Sequence, residues 1–206
     1  VCYPVRMCAR LLTSLSLFFS AYNDANTIGT LVDAAYAAGI RAATTCEVIV
    51  VNDGSIDDTA ATLTEARVRH PDLIVITHPH NRGYGAALQS ALTASHGDWL
   101  FYTDGDGQYD LADLPALLAH ADTADYITGY KIKRADTWYR AVISRLYNGV
   151  ASLFFGVPIR DINCDFRLFR RDLISGATFF QQGGLFGLEL LLHIRRRGAR
   201  IVEVPV

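Results

Sequence analysis

The feature that most restricts the fold of this 206-residue chain is a series of short apolar runs, each followed by polar residues and a helical pattern. Residues 46–51 are apolar at nearly every position, which is typical of a strand covered on both faces and therefore central in a parallel sheet. Residues 99–104 form a similar run, rich in aromatic side chains. Because such runs alternate with helical segments, the sequence predicts an α/β fold with a mostly parallel central sheet flanked by helices.

The predicted elements follow one another along almost the whole chain. The strands cover residues 15–20, 46–51, 73–77, 99–104, 126–130, 161–171 and 199–206. The helices cover residues 27–38, 59–70, 83–95, 113–120, 138–155 and 185–197. Asn26 or Thr27 is predicted to cap the first helix and Asp57 or Asp58 the second, and Gly39 is predicted to end the first helix.

We predict a single domain with two halves of opposite charge. Half of the residues are hydrophobic, which is ample for a core. Residues 1–128 contain 6 Lys or Arg and 15 Asp or Glu, whereas residues 129–206 contain 13 and 6. An acidic half that holds a metal and a basic half that meets phosphate would explain this asymmetry, as would two ordinary solvated faces. The chain ends within an apolar run at Val206, which is compatible with a truncated sequence.

Cysteine usage argues against a disulfide-rich or zinc-binding protein, and hydropathy argues against a membrane span. The four cysteines are scattered without a C-x-x-C pair, which favours reduced thiols in a cytosolic setting over a disulfide framework or a zinc site. No segment reaches the roughly 18–20 apolar residues of a membrane span. Residues 11–19 follow Arg6 and Arg10 and are similar to a signal peptide, but the site-like loop after them favours a first strand.

Polar side chains follow three of the predicted strands, at residues 22–24, 52–53 and 104–106. Because parallel strands end at the same edge of a sheet, we expect these clusters to converge, and ligands bind at such edges. Asp104 and Asp106 are hard oxygen donors that suit Mg²⁺ or Mn²⁺, and Gly105 between them would let a diphosphate approach the backbone. An Asp/Gly turn is the alternative. An EF-hand loop is excluded because Gln108 and Tyr109 stand where acidic and glycine residues are required.

The glycine-rich segment 81–88 follows a strand and opens a helix, where phosphate oxygens can bind beside Arg82. It matches the dinucleotide fingerprint only partly, since Leu88 occupies the place of the third glycine, so a dehydrogenase is not favoured. His78 and His80 lack a third ligand nearby. The sequence contains neither a Walker A motif nor a nucleophile elbow.

The sequence resembles the family 2 glycosyltransferases of GT-A fold. The residues that carry the resemblance are 17–24, 47–59, 81–87 and the Asp104-Gly105-Asp106 motif with Gln108. Residues 161–171 and 198–206 are similar to the branch of dolichol- or polyprenyl-phosphate sugar synthases. The chain departs from the common family pattern with Ser20 for Pro, Asp24 for Glu, Tyr84 for Lys and Asp165 for Gly.

The resemblance implies a nucleotide-diphosphate sugar donor, an inverting transfer and a metal at Asp104 and Asp106. It implies that residues 15–128 form the nucleotide-sugar half and residues 129–206 the acceptor half. Tyr22 and Asp24 would border the nucleotide, Asn52 or Asp53 would hold the base, and Gln108 would lie beside the sugar. The remaining candidates for substrate contacts are basic, and those for catalysis are acidic: Arg82, Arg134, Arg145 and Arg167, and Asp161 and Asp165.

The acceptor determines whether the reaction needs a general base. A sugar hydroxyl needs a carboxylate to remove its proton, whereas a phosphate oxygen is already anionic. Family members that act on hydroxyls usually carry a Glu-Asp pair late in the domain, and here Glu189 has no Asp after it. We therefore expect a polyprenyl phosphate acceptor and an enzyme that is cytoplasmic and peripheral at a membrane face, without a nucleic-acid partner. A glycan-hydroxyl acceptor with Asp161 or Asp165 as base, and a nucleotide-sugar-binding domain without turnover, remain alternatives.

Overall fold

The fold is a seven-stranded sheet with helices on both faces. A computed structural model describes residues 11–131, 161–162 and 164–206. The strands are β1 (Leu12–Ala21), β2 (Ala43–Asn52), β3 (Ile74–Thr77), β4 (Trp99–Asp104), β5 (Tyr126–Tyr130), β6 (Phe166–Arg170) and β7 (Ile201–Pro205). The helices are α1 (Ile28–Ala42), α2 (Thr59–Arg69), α3 (Tyr84–Ala94), α4 (Leu114–Leu118) and α5 (Phe186–Arg196). Short 3₁₀ turns cover Leu111–Asp113 and Arg171–Ile174.

The strand order across the sheet is β3-β2-β1-β4-β6-β5-β7. The first four strands in this order run parallel, and β5 and β7 are parallel to each other. β6 runs antiparallel between β4 and β5. The prediction of an α/β fold with a mostly parallel sheet is therefore confirmed.

Each face of the sheet carries its own hydrophobic core, because successive side chains of a strand point to opposite faces. Leu17 and Phe19 pack on the face covered by α1, α2 and α4. Phe18, between them, packs on the face covered by α3 and α5. The Phe18 ring stacks on Tyr102 of β4 with their centroids 5.5 Å apart. Because the strands are packed on both faces, the positions of their ends are defined, and so are the positions from which the following polar side chains start.

Several predicted boundaries differ from the structure. Gly39 does not end the first helix, because it lies inside α1, which continues to Ala42 and leads directly into β2. A Cβ at Gly39 would lie 2.9 Å from the Cys46 Sγ, so this glycine serves close packing of α1 on β2. Within the predicted strand 161–171, only residues 166–170 are strand. The predicted helix 138–155 lies outside the described residues.

Thr27 and Asp58 occupy the N-cap positions of α1 and α2, but neither side chain bonds to its own helix. Thr27 donates instead from its hydroxyl to the Gly105 carbonyl oxygen at 2.9 Å. Among the described residues, no helix has the length and apolar character needed to cross a bilayer.

Candidate active site

The ends of β1, β2 and β4 lie side by side at the carboxyl edge of the sheet. Ser20 pairs with Asp104 across the β1–β4 ladder, and Ala21 pairs with Asn52 across the β1–β2 ladder. The three polar clusters that follow these strands therefore converge, as the sequence predicted. Their convergence forms the candidate active site.

The loops after β1 and β2 are bonded into one unit. Asn23 has a left-handed backbone (φ 60°) that turns the chain towards the second loop. Its backbone N–H donates to the Ser55 hydroxyl at 3.0 Å, and its side-chain oxygen accepts from Ile56 N at 2.9 Å. The Asp24 N–H donates to the Thr59 hydroxyl at 2.9 Å. These bonds position the first loop for contact with a ligand.

Tyr22 and Asp24 lie at the rim of the site, where a nucleotide can reach them. Tyr22 is 46% exposed, so its ring is available for stacking. The Asp24 carboxylate accepts from the Tyr22 N–H at 2.8 Å. Partial burial raises the pKa of Asp24, and the nearby Asp106 charge acts in the same direction. Asp24 and Asp106 thus form an acidic rim that a cation would stabilise.

Asn52 and Asp53 are buried and bonded within the protein, and their predicted contact with the base stays a prediction. The Asp53 carboxylate accepts from the Arg82 and Gly83 N–H groups, each at 2.9 Å. His78 Nδ1 lies 2.6 Å from the same carboxylate. Asp53 therefore holds the loop that leads into α3. His78, considered above as a metal ligand, is its partner. The Asn52 side-chain oxygen accepts from the N–H of residue 55 at 3.0 Å.

Gly105 is required by packing, and the predicted approach of a diphosphate to its backbone stays a prediction. A Cβ at this position would collide with the Ser20 carbonyl oxygen of β1. The backbone turn after β4 then presents Asp106, which is exposed. The Asp106 carboxylate accepts from Gln108 N at 3.0 Å and from Gln108 Nε2 at 2.6 Å. Lys131 Nζ lies 3.2 Å from Gln108 Oε1, so this lysine reaches the site although no motif indicated it.

Asp104 and Asp165 are brought together from opposite halves of the chain. Burial, followed by the charge of Asp165, raises the pKa of Asp104 to about 7. Burial also raises the pKa of Asp165, although the Arg167 guanidinium opposes this effect. Asp165 Oδ1 lies 3.2 Å from Arg167 Nη2. The site therefore contains two carboxylates that repel each other at neutral pH.

Arg167 belongs to the core, and this corrects its predicted role in direct substrate contact. Its side chain is only 2% exposed. Besides Asp165, its guanidinium donates to four protein oxygens at 2.6–3.1 Å: the carbonyls of Cys164, Ile162 and Gly187 and the hydroxyl of Tyr126. A buried cation needs such partners. Arg167 therefore shapes the segment before β6 and orients Asp165.

The other predicted residues have diverse positions. Asp161 is buried, and its N–H donates to the Glu203 carboxylate at 3.3 Å. Arg82 is exposed at the start of α3. Arg134 and Arg145 lie outside the described residues. The structure thus brings Tyr22, Asp24 and the three carboxylates of residues 104, 106 and 165 to one edge.

The Asp104 and Asp106 carboxylates fit a Mg²⁺ or Mn²⁺ ion that substrate phosphates help to hold. Hard divalent cations of this kind are usually bound by one or two carboxylates together with phosphate oxygens and water. Within residues 11–131, 161–162 and 164–206, no three His, Cys, Asp or Glu side chains form a cage that could hold a metal by themselves. The donor set therefore suits a metal that arrives with a nucleotide.

A cavity of about 660 Å³ lies at the opposite, amino edge of the sheet. The first residues of β1 and β4 and the last residue of β6 line it. It contains none of the converged carboxylates, so it is separate from the candidate active site.

The sequence is similar to a known family and to characterised members of related enzymes. The model of "Glycosyl transferase family 2" matches residues 16–176. An undecaprenyl-phosphate 4-deoxy-4-formamido-L-arabinose transferase from Enterobacter sp. (strain 638) is 28% identical over 195 residues, covering 93% of this chain and 58% of that protein. Glycosyltransferase AglD from Haloferax volcanii is 32% identical over 203 residues, covering 93% of this chain and 32% of that protein. This chain therefore spans between about one third and three fifths of these relatives.

Solved structures show the same fold. Glucosyl-3-phosphoglycerate synthase from Mycobacterium tuberculosis, crystallised with Mn²⁺, UDP and glucosyl-3-phosphoglycerate, superposes with a TM-score of 0.73 at 20% identity. The match covers 94% of this chain and 71% of that one. Another crystal structure of that synthase, with Mg²⁺ and UDP, has a TM-score of 0.71 at 18% identity. The GT-A fold predicted from the sequence is confirmed.

Proposed function

Because the chain belongs to glycosyl transferase family 2, we propose that this domain moves a sugar from a nucleotide-diphosphate sugar to a polyprenyl phosphate. The observation that carries the proposal is the convergence of Tyr22, Asp24, Asp104 and Asp106 at the carboxyl edge of the sheet. The names of the relatives that act on undecaprenyl phosphate support the acceptor. In this proposal, residues 15–128 bind the donor and residues 129–206 the acceptor.

Each rim residue has a task in donor binding that its surroundings support. The half-exposed Tyr22 stacks on the base, and Asp24 borders the nucleoside. Asp104 and Asp106 hold Mg²⁺ or Mn²⁺, which would offset the charge that grows on the departing nucleoside diphosphate. Gln108, fixed by Asp106 and Lys131, lies beside the sugar. Arg82, exposed at the start of α3, is available to the phosphates.

A phosphate acceptor explains why no carboxylate near Glu189 has to act as a general base. The Glu189 carboxylate accepts from the backbone N–H groups of Phe180 and Gln181 at 2.9–3.2 Å, so it is committed to a loop. The anionic phosphate oxygen attacks the anomeric carbon directly, and the bond from that carbon to the nucleotide breaks on the opposite face. The result is inversion at this carbon.

A specific observation keeps the glycan-hydroxyl acceptor as a second candidate. Asp165 lies beside Asp104 in the site, and a carboxyl with a raised pKa suits the removal of a hydroxyl proton. In the primary proposal Asp165 has no proton to remove, because the phosphate acceptor is already anionic, and Asp165 serves as the ion-pair partner of Arg167. The two candidates therefore differ in the acceptor that they require.

We further propose that the domain works at the cytoplasmic face of a membrane, where a lipid-linked acceptor presents its phosphate. Cys46 and Cys164 are free thiols, which suits a reducing compartment. Binding to sedimented vesicles that contain polyprenyl phosphate, compared with vesicles of neutral lipid alone, tests this point. Equal binding to both would contradict a role for the acceptor in membrane association.

The decisive experiment offers the chain UDP- and GDP-sugars with a short polyprenyl phosphate or with the matching polyprenol, in Mn²⁺. We expect a sugar–phosphate lipid from one nucleotide class and no product from the alcohol. Asp106→Asn should abolish transfer, whereas Asp110→Asn, which removes an exposed carboxylate four residues away, should leave it unchanged. Transfer to the alcohol would favour the hydroxyl alternative, and donor binding without transfer to either acceptor would favour a binding domain.

A further inference from the structure

The Tyr84 hydroxyl lies near two carboxylates of the site, Asp104 and Asp165. It is the second residue of the Gly83-Tyr84-Gly85 segment, and its hydroxyl oxygen is shielded from solvent. Among the described residues this oxygen has no partner at standard hydrogen-bond geometry. Asp104 and Asp165 are the carboxylates whose charges act on it. A buried donor beside two acceptors is therefore aimed into the site without being used elsewhere.

The two flanking glycines explain how Tyr84 reaches this position. Gly83 has a left-handed backbone (φ 96°), and its N–H donates to Asp53 at 2.9 Å. A Cβ at Gly83 would lie 2.6 Å from the Gln182 carbonyl oxygen. A Cβ at Gly85 would collide with the Gln181 carbonyl oxygen. The glycines thus allow a second loop to pack directly on the first turn of α3.

That second loop is fixed by α5 and by α3. Glu189 of α5 accepts from the N–H groups of Phe180 and Gln181. Gln89 of α3 donates from its side chain to the Gln181 carbonyl at 2.8 Å. The Ala86 N–H donates to the carbonyl of residue 182 at 3.2 Å. Donor-side and acceptor-side segments therefore meet around Tyr84.

We propose that Tyr84 is a positioning residue whose hydroxyl donates to the Asp104–Asp165 carboxylate pair and holds the donor-side and acceptor-side carboxylates in register. The inference rests on the proposed function, since it assigns Tyr84 a role in the same transfer. A neutral phenol has one proton to donate, so it can bond strongly to only one carboxylate at a time. The second carboxylate keeps Arg167 as its partner. The buried Tyr102 hydroxyl also acts on Asp165, so Tyr84 is the phenol available to Asp104.

Loss of the hydroxyl should affect turnover more than donor affinity. Tyr22 and Asp24 lie on a separate loop that is bonded to residues 55–59, and Tyr84 makes none of those bonds. Without the phenol proton Asp104 loses its donor, whereas Asp165 keeps Tyr102 and Arg167, and repulsion from Asp165 then displaces Asp104 from its productive orientation. A charge-assisted hydrogen bond of this kind corresponds to about a tenfold change in rate.

The test compares Tyr84→Phe with Tyr36→Phe in the lipid-phosphate transfer assay. Tyr36 is the matched control, because its buried hydroxyl also lacks a standard partner among the described residues and also has a carboxylate near it, Asp72, which is not one of the site carboxylates. We expect Tyr84→Phe to lower kcat about tenfold with the donor KM within about twofold. Tyr36→Phe should leave both constants unchanged.

Thermal stability of the metal-free protein separates positioning from simple packing. Removal of an unused buried hydroxyl should leave the melting temperature unchanged or raise it, whereas removal of a hydroxyl that donates to a carboxylate should lower it. We therefore expect a lower midpoint for Tyr84→Phe. An unchanged kcat in Tyr84→Phe, or an equal fall of kcat in Tyr84→Phe and Tyr36→Phe, would overturn the inference. Absence of transfer by the wild-type chain would instead contradict the proposed function, and the stability comparison would still decide the role of the hydroxyl.

Discussion

The raised pKa of Asp104 predicts that this residue lowers the stability of the metal-free protein at neutral pH. Its pKa is about 7 in the folded chain, compared with an ordinary value of 3.8. The folded state therefore binds a proton more tightly than the unfolded state. The penalty from Asp104 is absent below pH 3.8 and grows as the pH rises towards 7. Asp104→Asn, which cannot ionise, should be more stable than the wild type above this range.

The magnitude follows from the size of the shift. Three pKa units at ~1.4 kcal/mol each give a full penalty of about 4 kcal/mol at pH 8. We halve this to about 2 kcal/mol, because the Asp104 side chain keeps partial contact with solvent and shares the repulsion with Asp165. For a domain of this size, 2 kcal/mol corresponds to roughly 4–8 °C in melting temperature. At pH 5 the gain should be less than half as large, at about 0.8 kcal/mol.

The assay is thermal unfolding followed by circular dichroism in EDTA at pH 5 and pH 8. Asp106→Asn is the control for charge removal, because Asp106 is exposed and lies two residues away. The Asp104→Asn variant should also lose transfer, so that its gain in stability accompanies a loss of function. A melting temperature below that of the wild type at pH 8, or a gain of equal size at both pH values, would refute the reasoning.

Three further predictions concern the scaffold. Arg200 holds the pKa of Asp125 down to about 2, so Asp125→Asn should cost about 1 kcal/mol in urea unfolding at pH 7, an effect that fades as the pH falls from 3.8 towards 2. Gly85→Ala should destabilise the fold by about 1–3 kcal/mol, because its Cβ meets a backbone carbonyl, whereas Gly184→Ala, in open space, should be neutral in the same assay. Arg167→Met should cost about 3–5 kcal/mol or prevent soluble expression, because it leaves Asp165 and several buried oxygens unpaired.

The fold class was predictable because it depends on local patterns. Strands buried on both faces have continuous apolar sequences, such as residues 46–51, and helices between them impose parallel connections. Boundaries were less predictable. β1 begins at Leu12, three residues before the predicted start, because residues 12–14 pair with β2 while their side chains alternate between buried and exposed. Gly39 has the sequence signature of a helix end but serves the packing of α1 on Cys46.

The site was only partly predictable. Tyr22, Asp24, Asp104 and Asp106 lie at the expected edge, since the ends of adjacent parallel strands must meet. Asp53 lies there too, but its carboxylate is used by the loop that leads into α3. The sequence offers no signal for this difference, because the donors to Asp53 come from residues about 30 positions away.

By itself, the sequence determined the α/β architecture, the family and the edge at which the carboxylates gather, because each of these depends on the order and local pattern of residues. Only the tertiary structure decided which charged residues are committed to partners within the fold. Arg167 and Asp165 are two residues apart, yet the arginine is buried among oxygens from residues 126, 162, 164 and 187, whereas the charge of the aspartate acts on Asp104. Burial and hydrogen-bond partners come from distant segments, and they determine whether a charge is available for chemistry.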